Sequence, residues 1–300
     1  MPECLLEARL RPMRRTPSPS VRLRRLAAEL RRIREERGLS VAQAAKGVGW
    51  GSSKLSRFET ADRRIAANDL DKLLDSYKVD DAAEREALHT LTREAKDRGW
   101  WWKYRDVFGP RSLPDFEAEA SVIRTYESIV IPGLLQTPDY AEALFTADCH
   151  ADHDQVGRLV EARIARREIL TRIDHPPRLT AVIDEAALRR PIGGQQVMGE
   201  QLEYLLRIGR SHNVDLQVLP FAAGAHSGLS GSFTILDFPE PTDLSIVYTD
   251  TLTSGAFEEQ IDDVDRYMRT FGDIQGSSLS KQKSEQFIRG LLQQESGESA

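Results

Sequence analysis

Within the first sixty residues of the 300-residue chain, helix signals start and stop three times, and this succession constrains the fold more than any other feature. Leu23, Leu26, Leu30 and Ile33 recur at spacings of three and four, which stacks them on one helical face and leaves Arg24, Arg25, Arg31 and Arg32 elsewhere on the cylinder. Gly38 ends this helix. Ser40 opens the next, and Gln43 three residues later completes a capping box, each side chain satisfying an orphan backbone N–H of the other residue. Gly47, Val48 and Gly49 stop that helix, and a third begins near Gly51 and Ser52.

In the third helix Leu55 and Phe58 pack inward, so at 100° per residue Ser53, Arg57 and Thr60 point outward, flanked by Lys54 and Ser56. A fourth helix carries Leu70, Leu73, Leu74 and Tyr77; a fifth, from about Asp80, carries Ala87, Leu88, Leu91 and Ala95. The expected result is a compact all-α domain of five helices over residues 21–95, preceded by a Pro-, Ser- and Arg-rich segment, residues 1–20, expected to be disordered, with Met13 as an alternative start.

Charge divides the chain. Its net formal charge is −6, yet residues 1–64 hold 16 Lys and Arg against 7 Asp and Glu, leaving 25 against 40 for the remainder. A basic head gains affinity for a polyphosphate by releasing condensed counterions, whereas an acidic body is repelled. No stretch approaches the ~20 apolar residues of a membrane span, and Cys4 and Cys149 are too few for a disulfide framework, so the expectation is a cytoplasmic, nucleoid-associated protein with reduced thiols.

After Trp100, Trp101, Trp102 and Tyr104 the pattern turns mixed, placing a linker over 96–114 and an α+β domain over 115–300. Helices are expected at 115–128, at 138–146 with Pro138 in the first turn after Thr137, and at 153–172. Strands are expected at 179–184, 214–221, 232–238 and 244–250, where β-branched and aromatic residues are bounded by Gly, Pro or Asp. Further helices follow at 195–211, 257–275 and 281–294.

Two short helices joined by a tight turn, the second with a polar or basic outer face, have the spacing of a helix-turn-helix, whose second helix enters the major groove of duplex DNA. The expected DNA-contact set is Gln43, Ser52, Ser53, Lys54, Ser56, Arg57, Arg63 and Arg64. Arg57 suits a bidentate contact to guanine, Lys54 a base or a phosphate, and Arg63 and Arg64 phosphate neutralisation. The competing reading is a solvent-exposed helical hairpin without a ligand.

The stretches "LRRIREERGLSVAQAA", "SSKLSRFETADRR" and "LDKLLDSYKV" resemble the Xre-type, or lambda-repressor-like, DNA-binding family. The resemblance implies that Ser52, Ser53, Lys54 and Arg57 face base or phosphate, and that Arg34 and Glu59 form the ion pair tying the first helix to the third. Val41 stands where this family often has a phosphate-contacting Gln, and Ala61 where a Gly commonly ends the recognition helix. Downstream, "IVIPGLLQTPDYAEALF", "RLVEARIARREIL", "VIDEAALRRPIGG" and "VDLQVLPFAAGAHSGLSGSFTILDF" resemble actinomycete regulators of the WhiJ type. That group implies a developmental or secondary-metabolism regulator, often encoded beside a small partner protein and also described as antitoxin-like.

Other constellations carry less. Cys149, His150 and His153 have zinc-ligand residue types, but a polar inter-helix loop is the favoured reading. Asp184 and Glu185 follow a strand and Asp250 ends another, which makes a carboxylate pair conceivable, yet no nucleophile or metal motif accompanies them, and Glu185 equally suits the first turn of a helix. The Gly-rich run 222–231, with His226 and Ser227, offers backbone N–H groups to an anion or peptide, but reads first as a mobile hairpin loop and lacks the phosphate-loop pattern. The tryptophan run is expected to pack between domains, since base stacking serves single strands. The expectation is therefore a non-enzymatic regulator without cofactor or metal, binding double-stranded DNA as a homodimer, with a nearby-encoded small protein as candidate partner and no membrane contact. The alternative is an antitoxin-like interaction adaptor with secondary DNA affinity.

Overall fold

A computed structural model describes residues 21–94, 100–108, 113–147, 153–240, 243–251 and 255–297. The expected leader, residues 1–20, lies outside them, as do Ala95, Cys149 and His150. The chain divides into two compact units, Met1–Ala95 and Lys96–Ala300.

The first unit contains α1 (Val21–Glu36), α2 (Val41–Gly47), α3 (Ser52–Glu59), α4 (Ala67–Ser76) and α5 (Ala82–Glu94). Its core is the set the helical spacing selects: Leu26, Leu30 and Ile33 of α1, Leu55 and Phe58 of α3, and Leu70, Leu73 and Leu74 of α4, all at most 3% exposed. Each such side chain contributes ~1.5–3 kcal/mol by leaving water, so the short helices are held by packing more than by their own propensity. On α5, Leu88 is buried and Leu91 half-buried, whereas Ala87, expected inward, is exposed one position round the cylinder.

The second unit opens with a 3₁₀ turn (Trp100–Tyr104), followed by α6 (Arg105–Phe108), α7 (Leu113–Glu119), β1 (Val122–Glu127), α8 (Pro138–Thr146) and α9 (His153–Arg167). Next come β2 (Arg178–Asp184), α10 (Glu185–Arg189), α11 (Gly194–Ile208), β3 (Val214–Leu219), β4 (Phe233–Asp237), β5 (Ile246–Asp250), β6 (Gly255–Glu258), α12 (Ile261–Ser277) and α13 (Lys281–Gly297). The six strands form one sheet in the order β3-β2-β1-β4-β5-β6, with β1, β2 and β3 mutually parallel and each later strand antiparallel to its neighbour. A helical N-terminal unit precedes an α+β unit, as the pattern of apolar residues indicates.

Four expectations need correction, the fourth being the hairpin at 222–231. The helix placed at 115–128 ends at Glu119, and Val122–Glu127 is the strand β1, paired with both β2 and β4; its β-branched residues and alternating burial suit a sheet. The helix placed at 257–275 starts at Ile261, because Gly255–Glu258 is the edge strand β6. Within 96–114, the described part is not bare linker: Arg158 of α9 pairs with Asp106 at 3.2 Å, donates to the carbonyl of Lys103, and stacks over Tyr104.

One sheet face packs on α12, through Tyr126, Phe233, Ile235 and Val247 against Val264, Phe271 and Ile274. The run 222–231 is not a hairpin, because β3 and β4 are separated in the sheet by β2 and β1. It crosses the end of the sheet as two 3₁₀ turns and buries Gly228 against Tyr126, where a Cβ would lie 2.6 Å from the ring. The edge strand β3 is covered: Leu279 N–H and Lys281 Nζ donate to its carbonyls and Ser284 Oγ accepts from Val218, which blunts a template for unwanted pairing. Among the described residues no helix is long and apolar enough to cross a membrane.

Candidate nucleic-acid interface

The turn between α2 and α3 is built locally. Ser40 Oγ accepts from Gln43 N–H and Gln43 Oε1 accepts from Ser40 N–H, fixing where α2 begins. Trp50 N–H donates to Ala45 O at 2.8 Å and Gly49 sits at φ +70°, a left-handed conformation that a glycine adopts without steric cost, so the chain reverses within a few residues. Val41, the first residue of α2, packs against the core and offers no polar group.

The orientation of α3 depends on an ion pair beneath it. Arg34 Nε donates to both carboxylate oxygens of Glu59 at 2.8 and 3.0 Å, and Arg34 Nη1 donates to Leu39 O at 2.7 Å. Both side chains are under a tenth exposed, and Glu59 holds the Arg34 guanidinium above its ordinary range. The pair thus ties α1 to α3, the role implied by the resemblance. After α3, Ala61 takes φ +55° and is 5% exposed, its methyl packed with Leu23 and Ala27. The helix ends in a left-handed residue although no glycine is present.

On the outer face Ser52, Ser53, Ser56 and Arg57 are exposed, and Arg57 Nε donates to Ser53 O at 3.2 Å. Gln43, Arg63 and Arg64 are exposed as well. Lys54 is placed differently from its neighbours: its ammonium pairs with Asp69 of α4 at 2.8 Å and lies 4.0 Å from the Trp50 ring centroid. At a half-exposed position each contact is worth at most about 1 kcal/mol, so a phosphate can compete for the ammonium. The Trp50–Lys54 spacing of four is visible in the sequence; the Asp69 partner is not, since it comes from another helix.

The arginines of α1 contribute less free charge than their number suggests. Arg31 pairs with Glu35, and Arg32 with Glu29, Glu36 and Glu84. Arg22, Arg24 and Arg25 have interactions of their own. Lys46, near the end of α2, is exposed without an ion pair among the described residues, as are Arg57, Arg63 and Arg64. Sequence reasoning did not single out Lys46, although its place in the last turn before Gly47 was legible.

The carboxylates at the strand ends do not form the pair that was conceivable. Asp184 caps α10 by accepting from Ala186 N–H, while Asp250 accepts from Tyr248, three strands away in the sheet. Glu185 sits in the first turn of α10, where it accepts from Phe221 N–H and Arg189. No cluster of three metal-ligating side chains occurs among the described residues.

Neither a curated protein nor a solved structure matches the chain. Residues 25–88 match a family described as a helix-turn-helix domain, which spans α1 to α5 and supports a DNA-binding regulator. Residues 110–290, more than half the chain, match the family described as a domain of unknown function (DUF5753). The chain belongs to the DUF5753 family, with a helix-turn-helix domain ahead of the family's own domain.

Proposed function

We infer that this chain is a sequence-specific transcriptional regulator of the Xre type, within the actinomycete WhiJ group, in which α3 enters the major groove of duplex DNA. The observation that carries the reading is the division of α3 into two faces: Leu55 and Phe58 buried beneath, Ser52, Ser53, Ser56 and Arg57 exposed above. Arg57 reads a base edge, a guanine contact being worth ~1–3 kcal/mol of discrimination. Arg63, Arg64 and Lys46 neutralise phosphates, which positions the domain without reading sequence. Gln43, at the start of α2, meets the backbone, and Lys54 does so by exchanging Asp69 for a phosphate.

In this reading the protein acts at the nucleoid, carries out no catalysis, and binds as a two-fold dimer to half-sites about one helical turn apart. The second unit serves dimerisation or a small partner protein. The test is a competition between genomic fragments and random duplex, titrated with salt, followed by footprinting of the best fragment. The expected result is a preferred fragment with two protected segments spaced by about ten base pairs and an affinity that falls steeply with salt. If no fragment outcompetes random DNA, the adaptor reading takes its place.

A further inference from the structure

The sheet face opposite α12 is only partly covered. A cavity of about 690 Å³ lies there, within the second unit, between the ends of β1, β4 and β5 and the helices α7 and α9. This is the size of a small-molecule site, and it opens at the carboxyl ends of β1 and β5 and the amino end of β4. Thr125 and Glu127 of β1, Thr234 of β4, and Tyr248 and Asp250 of β5 contribute to its floor.

Its charges fall into two groups. Arg166 is neutralised in place, because Glu117 accepts from its Nε and Nη2 at 2.5 and 2.7 Å. Arg163 has neutral partners at close range, with Glu117, Glu127 and Asp250 acting on it from further off: Nη1 donates to Gln136 Oε1 at 2.7 Å and the guanidinium stacks 4.9 Å from the Phe145 ring centroid. Burial, with the like charge of Arg166 beside it, lowers its pKa to about 10. On the floor, Glu127 receives a hydrogen bond from Ser232 and has no ion-pair partner among the described residues; Asp250 accepts from the Tyr248 phenol. Desolvation, with the Asp250 charge nearby, pushes the Glu127 carboxyl up to about 7. Glu127 and Arg163 are partly buried and Asp250 is exposed; the guanidinium attracts both carboxylates at longer range without closing to an ion pair, and charged groups gathered and desolvated in a cleft mark a candidate functional site.

We propose that this cavity binds a small zwitterionic molecule of the amino-acid or dipeptide class, its ammonium between Glu127 and Asp250, its carboxylate at Arg163, and its apolar body against Ile131, Leu134 and Phe145. The carboxylates on the sheet and the guanidinium on α9 attract one another but form no ion pair within 4 Å among the described residues, so one molecule carrying both charges can bridge the two walls. An uncharged apolar ligand satisfies neither. A simple anion leaves the floor carboxylates unmatched.

The test is titration calorimetry of the full chain at pH 8, without DNA, against the free amino acids and apolar dipeptides such as Leu-Phe. N-acetylated and C-amidated forms of the best binder complete the set. At least one zwitterion is expected to bind with Kd below about 1 mM, each blocked form more weakly by about tenfold or more. The Glu127→Gln variant is expected to lose about tenfold for the zwitterion while binding its N-acetylated form as the unchanged protein does. A merely structural Glu127 would weaken both forms alike, and that result, or the failure of every zwitterion to bind, overturns the proposal. Because the readout does not involve DNA, such a failure leaves the reading of α3 standing, and loss of DNA binding would leave this one standing.

Discussion

Arg34 and Glu59 form an ion pair under α3, each side chain less than a tenth exposed. Removing one partner from a buried pair leaves the other charge uncompensated, which costs ~3–5 kcal/mol, far more than a surface pair's ~0–1 kcal/mol. Arg34 keeps only the half-exposed Glu35 carboxylate, 3.2 Å from its Nη2, so Glu59→Ala should destabilise the helix-turn-helix unit by up to about 3–5 kcal/mol in urea unfolding; a loss below about 1 kcal/mol would show that Glu35 and water compensate the charge. Ala61 presents the opposite case, a strained backbone with a useful methyl group, at φ +55°. A β-branched residue tolerates that conformation poorly, and Ala61→Val is expected to lower the melting temperature, whereas Ala61→Gly relieves strain but removes a buried methyl and should stay within about 1 kcal/mol of the parent.

Glu127 links a single residue to pH. Its folded pKa, about 7, lies above the ordinary 4.5, so the stability it contributes is present below 4.5 and is lost as pH rises through about 7. Asp250 and Tyr248 on β5, Glu117 on α7, and Arg163 and Arg166 on α9 are the charged and titratable groups around it. Glutamine carries no charge to desolvate, so Glu127→Gln should exceed the parent by under about 1 kcal/mol at pH 5 and by up to about 3 kcal/mol at pH 8. Denaturation curves at pH 5 and pH 8 check this, and equal differences at both values would contradict it.

At the scale of elements, α1 to α4 and the turn between α2 and α3 were legible because their signals are local: a period of three and four, a capping box four residues long, glycines at the stops. The strand β1 was misread as helix because its neighbours Pro114, Phe116 and Glu117 begin a real helix, and the switch to alternation occupies only six residues. The four-residue β6 was too short to show alternation at all. The outer face of α3 makes a separate prediction. Arg63 and Arg64 are exposed and follow the helix, so their replacement by alanine should weaken specific and random duplex alike and reduce the slope of affinity against salt by about one for each phosphate that is no longer neutralised. A change in base preference instead would mean that they reach the groove.

For the whole molecule, the sequence conveyed an all-helical unit ahead of an α+β unit but not the sheet order. Asp184 and Asp250 both end strands, yet β1 and β4 lie between β2 and β5, and the apparent hairpin at 222–231 joins strands that never touch. The cavity was illegible for the same reason: Glu117, Glu127, Arg163 and Asp250 come from four elements spread over more than a hundred residues, with no motif linking them. The charge split also needs the structure to be weighed, since the arginines of α1 are largely engaged while Arg57, Arg63 and Arg64 have no ion pair among the described residues.

The central claim is that α3 reads DNA through Arg57. The most direct measurement is the affinity of the full chain and of Arg57→Ala for the preferred fragment and for its single-base variants, at fixed salt. The predicted result is that the variant loses discrimination at one base pair of each half-site, by ~1–3 kcal/mol, while its affinity for random duplex falls only slightly. An Arg57→Ala protein that keeps the full sequence preference of the parent would contradict it.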